Sequence, residues 1–291
     1  MAGRRRKKSG GRSYAWRYRG RIVACVFVEV IIICALVIMI GWNKGVKEWF
    51  EQFEQPVLKE VDISGINSPN AILMQARGGK ILGEINGEAQ IYPASMTKIM
   101  TVILGIENFD DLDEKITLTD EMFAGLYEQD ATQAGFQPGE EVRVIDLLYG
   151  AMLPSGAECC IALADTISGS EADFAELMNK KARKLGMENT HFCDSTGLHN
   201  PDHYSTVKDI AVLMKYCIKN DTFREIVETS RHSTGVTNIH PDGITYYSTM
   251  FKNLSDPTVT GGKILGGKTG YTSEAGHCLV SFAEIEGREY I

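Results

Sequence analysis

The chain has 291 residues, of which 44% are hydrophobic, and a formal net charge of −8. This length fits one large domain or two small ones with a buried core. Nine lysines and arginines and one acid give residues 1–42 a charge of +8, which leaves −16 on residues 43–291. So acidic a body argues against nucleic acid as a partner, because binding to phosphates requires clustered positive charge.

The N-terminal segment predicts a membrane anchor. Residues 1–21 are basic, whereas residues 22–42 are almost wholly apolar, and about 20 apolar residues span the hydrocarbon core as a helix. The positive-inside rule places residues 1–21 in the cytoplasm and residues 43–291 outside the cell membrane, in a single-pass arrangement. No small-residue cleavage motif follows, so we expect an uncleaved anchor. Glu29 in the span is costly when charged, so we expect it to be protonated or paired with a partner helix.

Residues 43–60 carry apolar side chains close to helical spacing. Two interpretations stay open for this juxtamembrane segment: an interfacial helix that lies on the bilayer, or a stalk that continues the anchor. The folded domain is predicted to begin near Val61 and to cover residues 61–291.

The pattern of residues 61–291 predicts a mixed α+β domain. Two strands, over residues 71–76 and 81–85, are joined by a turn, and a helix starts at Ser95. The first and last strands are expected to share an antiparallel sheet. The final residues resemble the start of a further strand, so we expect the sequence to be truncated at its C-terminus. The other predicted elements are a loop-rich acidic stretch over 108–141, helices over 144–152, 159–167, 174–185 and from a capping box at Thr206–Asp209 to 218, and strands over 264–270 and 277–284.

Ser95 and Lys98 are the first pair of residues that suggest chemistry. Three residues apart, they share one helix face about one turn apart. Ser95 lies at the expected helix start, where free N–H groups and the helix dipole stabilise a developing oxyanion. A lysine amine in a partly desolvated position can lose its charge and take the proton of a neighbouring hydroxyl. This pair therefore predicts a serine nucleophile that needs no histidine.

Two later motifs extend this pair. The segment Lys268-Thr269-Gly270 follows two glycines, which allow a ligand to approach a strand closely, and it offers a positive charge and a hydroxyl to a carboxylate. Ser155 occupies a turn between two predicted helices, where its hydroxyl can relay a proton.

Ser-x-x-Lys, a serine turn and Lys-Thr-Gly, in that order, resemble the low-molecular-mass penicillin-binding proteins that act as serine-type D-alanyl-D-alanine carboxypeptidases. The resemblance covers roughly residues 61–291. It implies a serine β-lactamase/DD-peptidase-like α+β fold, an antiparallel sheet flanked by helices, here preceded by one transmembrane helix. The segments that carry it are Pro93–Thr101, Leu153–Gly156, Ala182–His191, Thr196–Leu198, His203–Thr206, Gly267–Thr272 and Ala275–Gly276.

The resemblance implies the catalytic roles. Ser95 attacks the carbonyl between two terminal D-alanines of a peptidoglycan stem peptide and forms an acyl-enzyme. Lys98 is the base that activates the serine, and Ser155 passes a proton to the leaving amine. Water then releases the acyl group, so no metal or cofactor is expected. β-Lactam antibiotics are the implied acylating inhibitors.

The resemblance also implies the substrate-binding residues. Lys268 adds positive charge, and Thr269 holds the terminal carboxylate. The stem peptide pairs with the strand from Lys268 through Gly270 to Tyr271, and the N–H groups of Ser95 and Tyr271 form the oxyanion hole. The expected partners are thus stem peptides, β-lactams and the membrane, without nucleic acid.

One departure from the family pattern keeps alternatives open. The middle motif is usually Ser-x-Asn, but Ala157 occupies its third position and cannot contact a lysine or the substrate through an amide. Glu158 or a bound water could compensate. The alternatives are a serine β-lactamase and a weakly active or inactive penicillin-binding scaffold. The chain also lacks a carboxylate-binding arginine from later strands, for which Lys252 is a speculative substitute.

Metal binding is disfavoured by the spacing of the cysteines and histidines. The five cysteines after residue 42 show no Cys-x-x-Cys spacing and are predicted to be small buried apolar residues. A cluster of three histidines and two acids matches neither His-Glu-x-x-His nor a zinc finger, so we predict loop histidines. These residues are His191, His199, His203, Asp194 and Asp202.

Overall fold

The computed structural model describes residues 59–291, in which strands precede and follow a run of five consecutive helices. The strands are β1 (Ala71–Met74), β2 (Ile81–Ile85), β3 (Lys115–Thr117), β4 (Glu141–Arg143), β5 (Arg231–Ser233), β6 (Thr245–Tyr247), β7 (Thr258–Val259), β8 (Gly262–Thr272), β9 (Gly276–Ile285) and β10 (Arg288–Tyr290). The helices are α1 (Lys98–Asn108), α2 (Val144–Met152), α3 (Ala157–Ser168), α4 (Glu171–Leu185), α5 (Val207–Cys217), α6 (Asp221–Glu228) and α7 (Thr249–Lys252), with 3₁₀ turns at Ala94–Thr97 and Asp120–Phe123.

The predicted N-terminal segments fall outside this description. Residues 1–21, the expected anchor over 22–42 and nearly all of the juxtamembrane segment 43–60 precede the first described residue. Within residues 59–291, no helix combines the length and the apolar character that crossing a membrane requires.

The first and last strands form two antiparallel sheets that meet at an isolated bridge, so the shared sheet that was predicted is found only in part. Strands β7 to β10 form a four-stranded sheet in the order β10-β9-β8-β7, and β1 pairs with β2. The two groups meet where Gln75 bridges Tyr290 and where the Met74 N–H donates to the Ile291 carbonyl at 2.8 Å. The long strands β8 and β9 pair with each other from Gly262 to Thr272, and β8 carries the Lys-Thr-Gly motif.

Helix α1 is the central helix of the domain. Every residue from Lys98 to Gly105 is buried, and α1 contacts each of the helices α2 to α6. Its apolar run Ile99–Leu104 fills this interior, which explains why a segment without a polar face forms a helix here. Lys98 is thus held at the base of a rigid helix.

The predicted helices are confirmed, with bounds shifted by capping. Helix α4 starts at Glu171, before the predicted 174, because the Ser170 hydroxyl accepts from the Asp173 N–H at 3.1 Å. Only one of the two bonds of the predicted capping box at Thr206 forms. The Thr206 hydroxyl accepts from the Asp209 N–H at 3.0 Å, but the Asp209 carboxylate accepts from the Asn189 N–H and the Thr190 hydroxyl rather than from the Thr206 N–H.

Candidate active site

Ser95 and Lys98 face each other where α1 begins. The 3₁₀ turn Ala94–Thr97 precedes α1, and Ala94 adopts a positive φ of 48°. Lys98 is 3% exposed, and its Nζ lies 3.0 Å from Ser95 Oγ and 2.6 Å from the Thr196 carbonyl oxygen. The expected helix start is therefore a tight turn that leaves Ser95 half-buried, beside a buried amine.

Ser155 lies in a strained turn between α2 and α3. Its φ of 72° is unusual for a residue with a side chain, and such strain is common where a side chain must be aimed. The turn is fixed by backbone bonds of 2.8 Å from Gly156 N to Gly150 O and from Ala157 N to Thr132 O. The buried Ser155 hydroxyl then accepts from Lys268 Nζ at 2.9 Å.

Strand β8 supplies the second lysine. Lys268 is 1% exposed, and its Nζ also donates to the Thr269 carbonyl at 2.9 Å. Burial, together with the positive charge of Lys98, lowers the pKa of Lys268 well below its usual value. Repulsion between the two buried ammonium groups therefore favours loss of a proton from Lys268.

Two glycines allow the surrounding backbone to approach the Ser95 turn. Gly197 has a φ of 81°, and a Cβ there would stand 1.9 Å from the Ala94 carbonyl oxygen. A Cβ at Gly270 would stand 3.0 Å from the Ser95 nitrogen. The loop that contains Gly197 and strand β8 therefore enclose the Ser95 turn from two sides.

The remaining predicted residues lie along β8. The Thr269 hydroxyl is 2.7 Å from the Thr249 hydroxyl, which belongs to α7. Tyr271 is 61% exposed at the rim, where its ring lies 4.8 Å from that of His277. The structure thus brings Ser95, Lys98, Ser155, Lys268, Thr269, Gly270 and Tyr271 to one cleft. Lys252 is exposed in the last turn of α7.

Glu158 does not take the place of the missing amide at Ala157. Its Oε1 accepts from the N–H groups of Ala134 at 2.6 Å and Gly135 at 2.9 Å, and its Oε2 is buried without a hydrogen-bond partner. Burial raises the pKa of this carboxyl. Lys98 instead finds its second acceptor in the Thr196 carbonyl.

The five cysteines of residues 59–291 are fully or partly buried. Cys159, Cys160 and Cys217 are buried as predicted, whereas Cys193 and Cys278 are half-buried. Burial raises the pKa of Cys160 to about 12, so the thiol stays protonated and unreactive.

The three histidines lie in loops or at isolated bridges, as predicted. His203 is nevertheless 2% exposed, because its ring is packed between Asp194 and Thr97. His199 remains at the rim, 3.9 Å from Glu274. Within residues 59–291, no three His, Cys, Asp or Glu side chains are grouped so that they could hold a metal ion. Sequence reasoning missed His203 because its partners are distant along the chain.

A cavity of about 480 Å³ lies apart from these groups. Its lining includes Ile72, Ile210, Leu279 and Met96, but none of the four residues of the two lysine–serine pairs. The predicted site residues therefore lie outside this cavity, where α1, the Ser155 turn and β8 meet.

Comparison with known proteins agrees with this geometry. A family model described as D-alanyl-D-alanine carboxypeptidase matches residues 57–291. The carboxypeptidase DacF of Bacillus subtilis is 35% identical over 217 residues, which are 74% of this chain and 54% of the relative. The D-alanyl-D-alanine carboxypeptidase of Streptomyces sp. (strain K15) is 37% identical over 205 residues, 68% of this chain and 69% of the relative.

Solved structures give the same answer for the fold. The crystal structure of the Streptomyces K15 DD-transpeptidase matches with a TM-score of 0.71 and 30% identity, over 79% of this chain and 90% of that one. The predicted DD-peptidase-type α+β fold is thus confirmed. The chain spans about half the length of relatives such as DacF and the Escherichia coli DacC, of which it covers 54% and 55%. The chain belongs to the D-alanyl-D-alanine carboxypeptidase family.

Proposed function

We propose that this chain is a serine-type carboxypeptidase that removes the terminal D-alanine from peptidoglycan stem peptides. The observation that carries the proposal is the 3.0 Å separation of Lys98 Nζ from Ser95 Oγ in a cleft that also holds the Lys268–Ser155 pair at 2.9 Å. An amine beside the hydroxyl and a second amine–hydroxyl pair opposite supply both proton transfers that acyl transfer needs.

Acylation begins at Ser95. Neutral Lys98 takes the hydroxyl proton while Ser95 Oγ bonds to the carbonyl carbon of the penultimate D-alanine. The N–H groups of Ser95 and Tyr271 stabilise the oxyanion that forms. Ser155, supported by Lys268, gives a proton to the leaving nitrogen as the C–N bond breaks, so D-alanine departs and the acyl group remains on Ser95.

The substrate lies along β8. Strand β9 pairs with one edge of β8 from Gly262 to Thr272, whereas β7 covers only Gly262 and Lys263 of the other edge. A stem peptide can add as a strand to the edge that continues from Lys268 to Tyr271. Thr269 and the charge of the lysine pair then meet the terminal carboxylate.

The β-lactamase alternative lacks support in this geometry. Fast release of a penicilloyl group requires a base that activates water, and the Glu158 carboxylate is turned to the backbone of Ala134 and Gly135. We therefore expect β-lactams to form a long-lived adduct with Ser95.

Mass spectrometry of the penicillin-treated full chain tests the proposal. We expect one penicilloyl adduct on a peptide that contains Ser95, stable for minutes to hours, and release of D-alanine from a synthetic peptide that ends in D-Ala-D-Ala. Ser95→Ala should lose both. A stable adduct without release of D-alanine would favour the scaffold alternative. Rapid loss of the adduct would favour a β-lactamase. Absence of any adduct on folded protein would reject the proposal.

We also propose that residues 22–42 anchor the protein in the cell membrane and that residues 61–291 lie outside. The apolar length of this segment and the nine positive charges before it support this orientation. Protease added to intact cells should digest the catalytic domain. Recovery of the chain in the soluble fraction, or full protection from protease, would contradict the anchor.

A further inference from the structure

A single carboxylate organises the loop that faces Lys98. Asp194 Oδ1 accepts from the N–H groups of Thr196 at 2.8 Å and Gly197 at 2.6 Å, and from the Thr196 hydroxyl at 2.7 Å. These bonds fix the peptide unit whose carbonyl lies 2.6 Å from Lys98 Nζ. The acceptor of the proposed base is therefore positioned by Asp194.

The second oxygen of Asp194 extends the network to the nucleophile turn. Oδ2 lies 3.1 Å from His203 Nδ1, and His203 Nε2 lies 2.8 Å from the hydroxyl of Thr97, between Ser95 and Lys98. Hydrogen bonds thus connect Lys98, through the Thr196 carbonyl, Asp194 and His203, to Thr97 in the turn that precedes it. None of these bonds depends on bound substrate.

The groups around His203 determine its tautomer. The carboxylate of Asp194 is the charged group that faces the ring, the Thr97 hydroxyl lies at Nε2, and the Phe192 ring packs edge-on at 5.6 Å. The Cys193 N–H also points to Nδ1, but at 3.3 Å. A lone pair on Nδ1 would repel the closer, charged oxygen, so Nδ1 carries the proton and Nε2 accepts from Thr97.

We infer that Asp194 and His203 are positioning residues for the Ser95–Lys98 pair: Asp194 holds His203 as the Nδ1–H tautomer, which fixes the Thr97 hydroxyl, and it fixes the Thr196 carbonyl against Lys98. This inference rests on the proposed function. The bond to that carbonyl holds the Lys98 amine 3.0 Å from Ser95 Oγ, where proton transfer between the two groups is possible. Loss of the network leaves the base in place but free to rotate away.

The electrostatics of Asp194 agree with this role. Burial opposes ionisation of the carboxyl, but bonds from His203, Thr196 and Gly197 outweigh burial and bring the pKa of Asp194 to about 2. The carboxylate is therefore charged throughout the pH range in which the protein works, and its hold on Nδ1–H is permanent.

A second carboxylate that binds the same loop provides a matched control. Glu171, the first residue of α4, accepts from Ser195 N at 3.1 Å and from the Ser195 hydroxyl, one residue away from Asp194, and no bond from it to His203 or Thr97 is found within residues 59–291. Asp194→Asn and Glu171→Gln each replace a half-buried carboxylate that binds this loop by its amide. A general requirement for a well-anchored loop affects both variants, whereas the positioning role affects Asp194→Asn alone.

The first experiment reads the tautomer directly. Nitrogen NMR of the full chain labelled at its six histidines, with His203 assigned through His203→Gln, should show Nδ1 protonated and Nε2 unprotonated. In Asp194→Asn the new amide N–H₂ donates to Nδ1, so the proton should move to Nε2. A wild-type His203 protonated on Nε2 would overturn the inference, whether or not the protein has activity.

The second experiment measures the rate of Ser95 acylation by a fluorescent penicillin. We expect Asp194→Asn and Thr97→Val to slow acylation about 10- to 100-fold, the range for loss of a group that orients a reacting one, with Thr97→Ser restoring most of it. Glu171→Gln should stay within about threefold of wild type. Equal losses in Asp194→Asn and Glu171→Gln, or no loss in Thr97→Val, would overturn the inference. Absence of any wild-type adduct would instead reject the proposed function, and the NMR result would still decide the tautomer.

Discussion

Two segments of the domain are held by histidine–carboxylate pairs, and they use those pairs differently. In the Asp194 loop (residues 194–205) both partners belong to the loop itself, and the histidine contacts Thr97 in the turn that contains Ser95. The carboxylate of this pair also binds two backbone N–H groups of its own segment.

In the hairpin of β5 and β6 (residues 231–247) the carboxylates belong to the core. His232 Nε2 lies 3.0 Å from Asp146 Oδ1, and His240 Nδ1 lies 2.7 Å from Glu140 Oε1. Both acids are buried, and neither pair contacts a lysine or serine of the cleft. These pairs attach one segment to another.

The difference teaches that the same chemical pair serves orientation in one place and attachment in the other. The difference lies in the further group that each histidine–carboxylate pair contacts. His203 passes its hydrogen bond to Thr97, whereas the ring of His232 stacks on Tyr149 at 3.7 Å and His240 shares Glu140 with Thr237. Changes in the Asp194 loop should therefore alter chemistry, and changes in the hairpin should alter stability.

The largest effect is expected from Gly197→Ala. The new Cβ would stand 1.9 Å from the Ala94 carbonyl oxygen at a φ of 81°, so the backbone next to Ser95 must move. A displacement of about 1 Å of a reacting group can slow chemistry about 100-fold, and we expect at least that loss in the rate of penicillin acylation.

Gly243→Ala in the hairpin is the matched control. Its φ is 67°, and a Cβ there would stand 2.5 Å from the Thr234 carbonyl oxygen, so the backbone must also move, although the contact is less short than at Gly197. We expect a loss of stability of about 1 to 3 kcal/mol, with acylation close to wild type. Equal losses of acylation in the two variants would break the distinction between the segments.

His240→Ala is expected to cost stability without slowing acylation. It removes a partner of the fully buried Glu140 and leaves the bonds from Thr237 and Gln137, so we expect a loss of about 2 kcal/mol. For a domain of this size that lowers the melting temperature by roughly 4 to 8 °C. Calorimetry and the penicillin assay on the same sample measure both. A large fall in acylation with an unchanged melting temperature would contradict the attachment role.

The sequence predicted the residues whose partners lie close along the chain or in a recognisable motif. Ser95 and Lys98 are one turn apart, so their contact follows from helix geometry. The Lys268–Ser155 contact spans 113 residues, and it was reached through the family resemblance, not from spacing.

The rest depends on tertiary packing that no local pattern encodes. His203 lies 106 residues from Thr97, and a buried histidine in a loop has the same sequence appearance as a solvated one. The hairpin and α6 were missed because β5 and β6 are three residues long and are held by core carboxylates rather than by an alternating apolar pattern. The role of Glu158 was likewise set by the nearby backbone of Ala134 and Gly135, not by its place after Ala157.

Unfolding at low pH tests whether the negative charge of Asp194 stabilises its loop. The pKa of Asp194 is about 2 in the folded chain against 3.8 when unperturbed, so its contribution is complete above about pH 4 and is lost as the pH falls through 2. The shift corresponds to about 2 kcal/mol. Urea unfolding at pH 5, 4 and 3 should show Asp194→Asn less stable than wild type by about that amount at pH 5, with the gap closing on acidification. A gap that is independent of pH would mean that packing, not charge, holds this loop.

The smallest effect is expected from Tyr149→Phe, which separates the two contacts that Tyr149 makes beside the hairpin. Its hydroxyl lies 3.5 Å from Glu225 Oε1, at the limit of a hydrogen bond, whereas its ring stacks on His232 at an interplanar angle of 5°. We therefore expect Tyr149→Phe to change stability by less than about 0.5 kcal/mol. Tyr149→Leu, which loses the stack, should cost about 1 kcal/mol or more. If both variants lose the same free energy of unfolding in urea, the hydroxyl rather than the ring attaches the hairpin. If either variant slows acylation, the hairpin contributes to the orientation of Ser95 and Lys98 that we assign to the Asp194 loop.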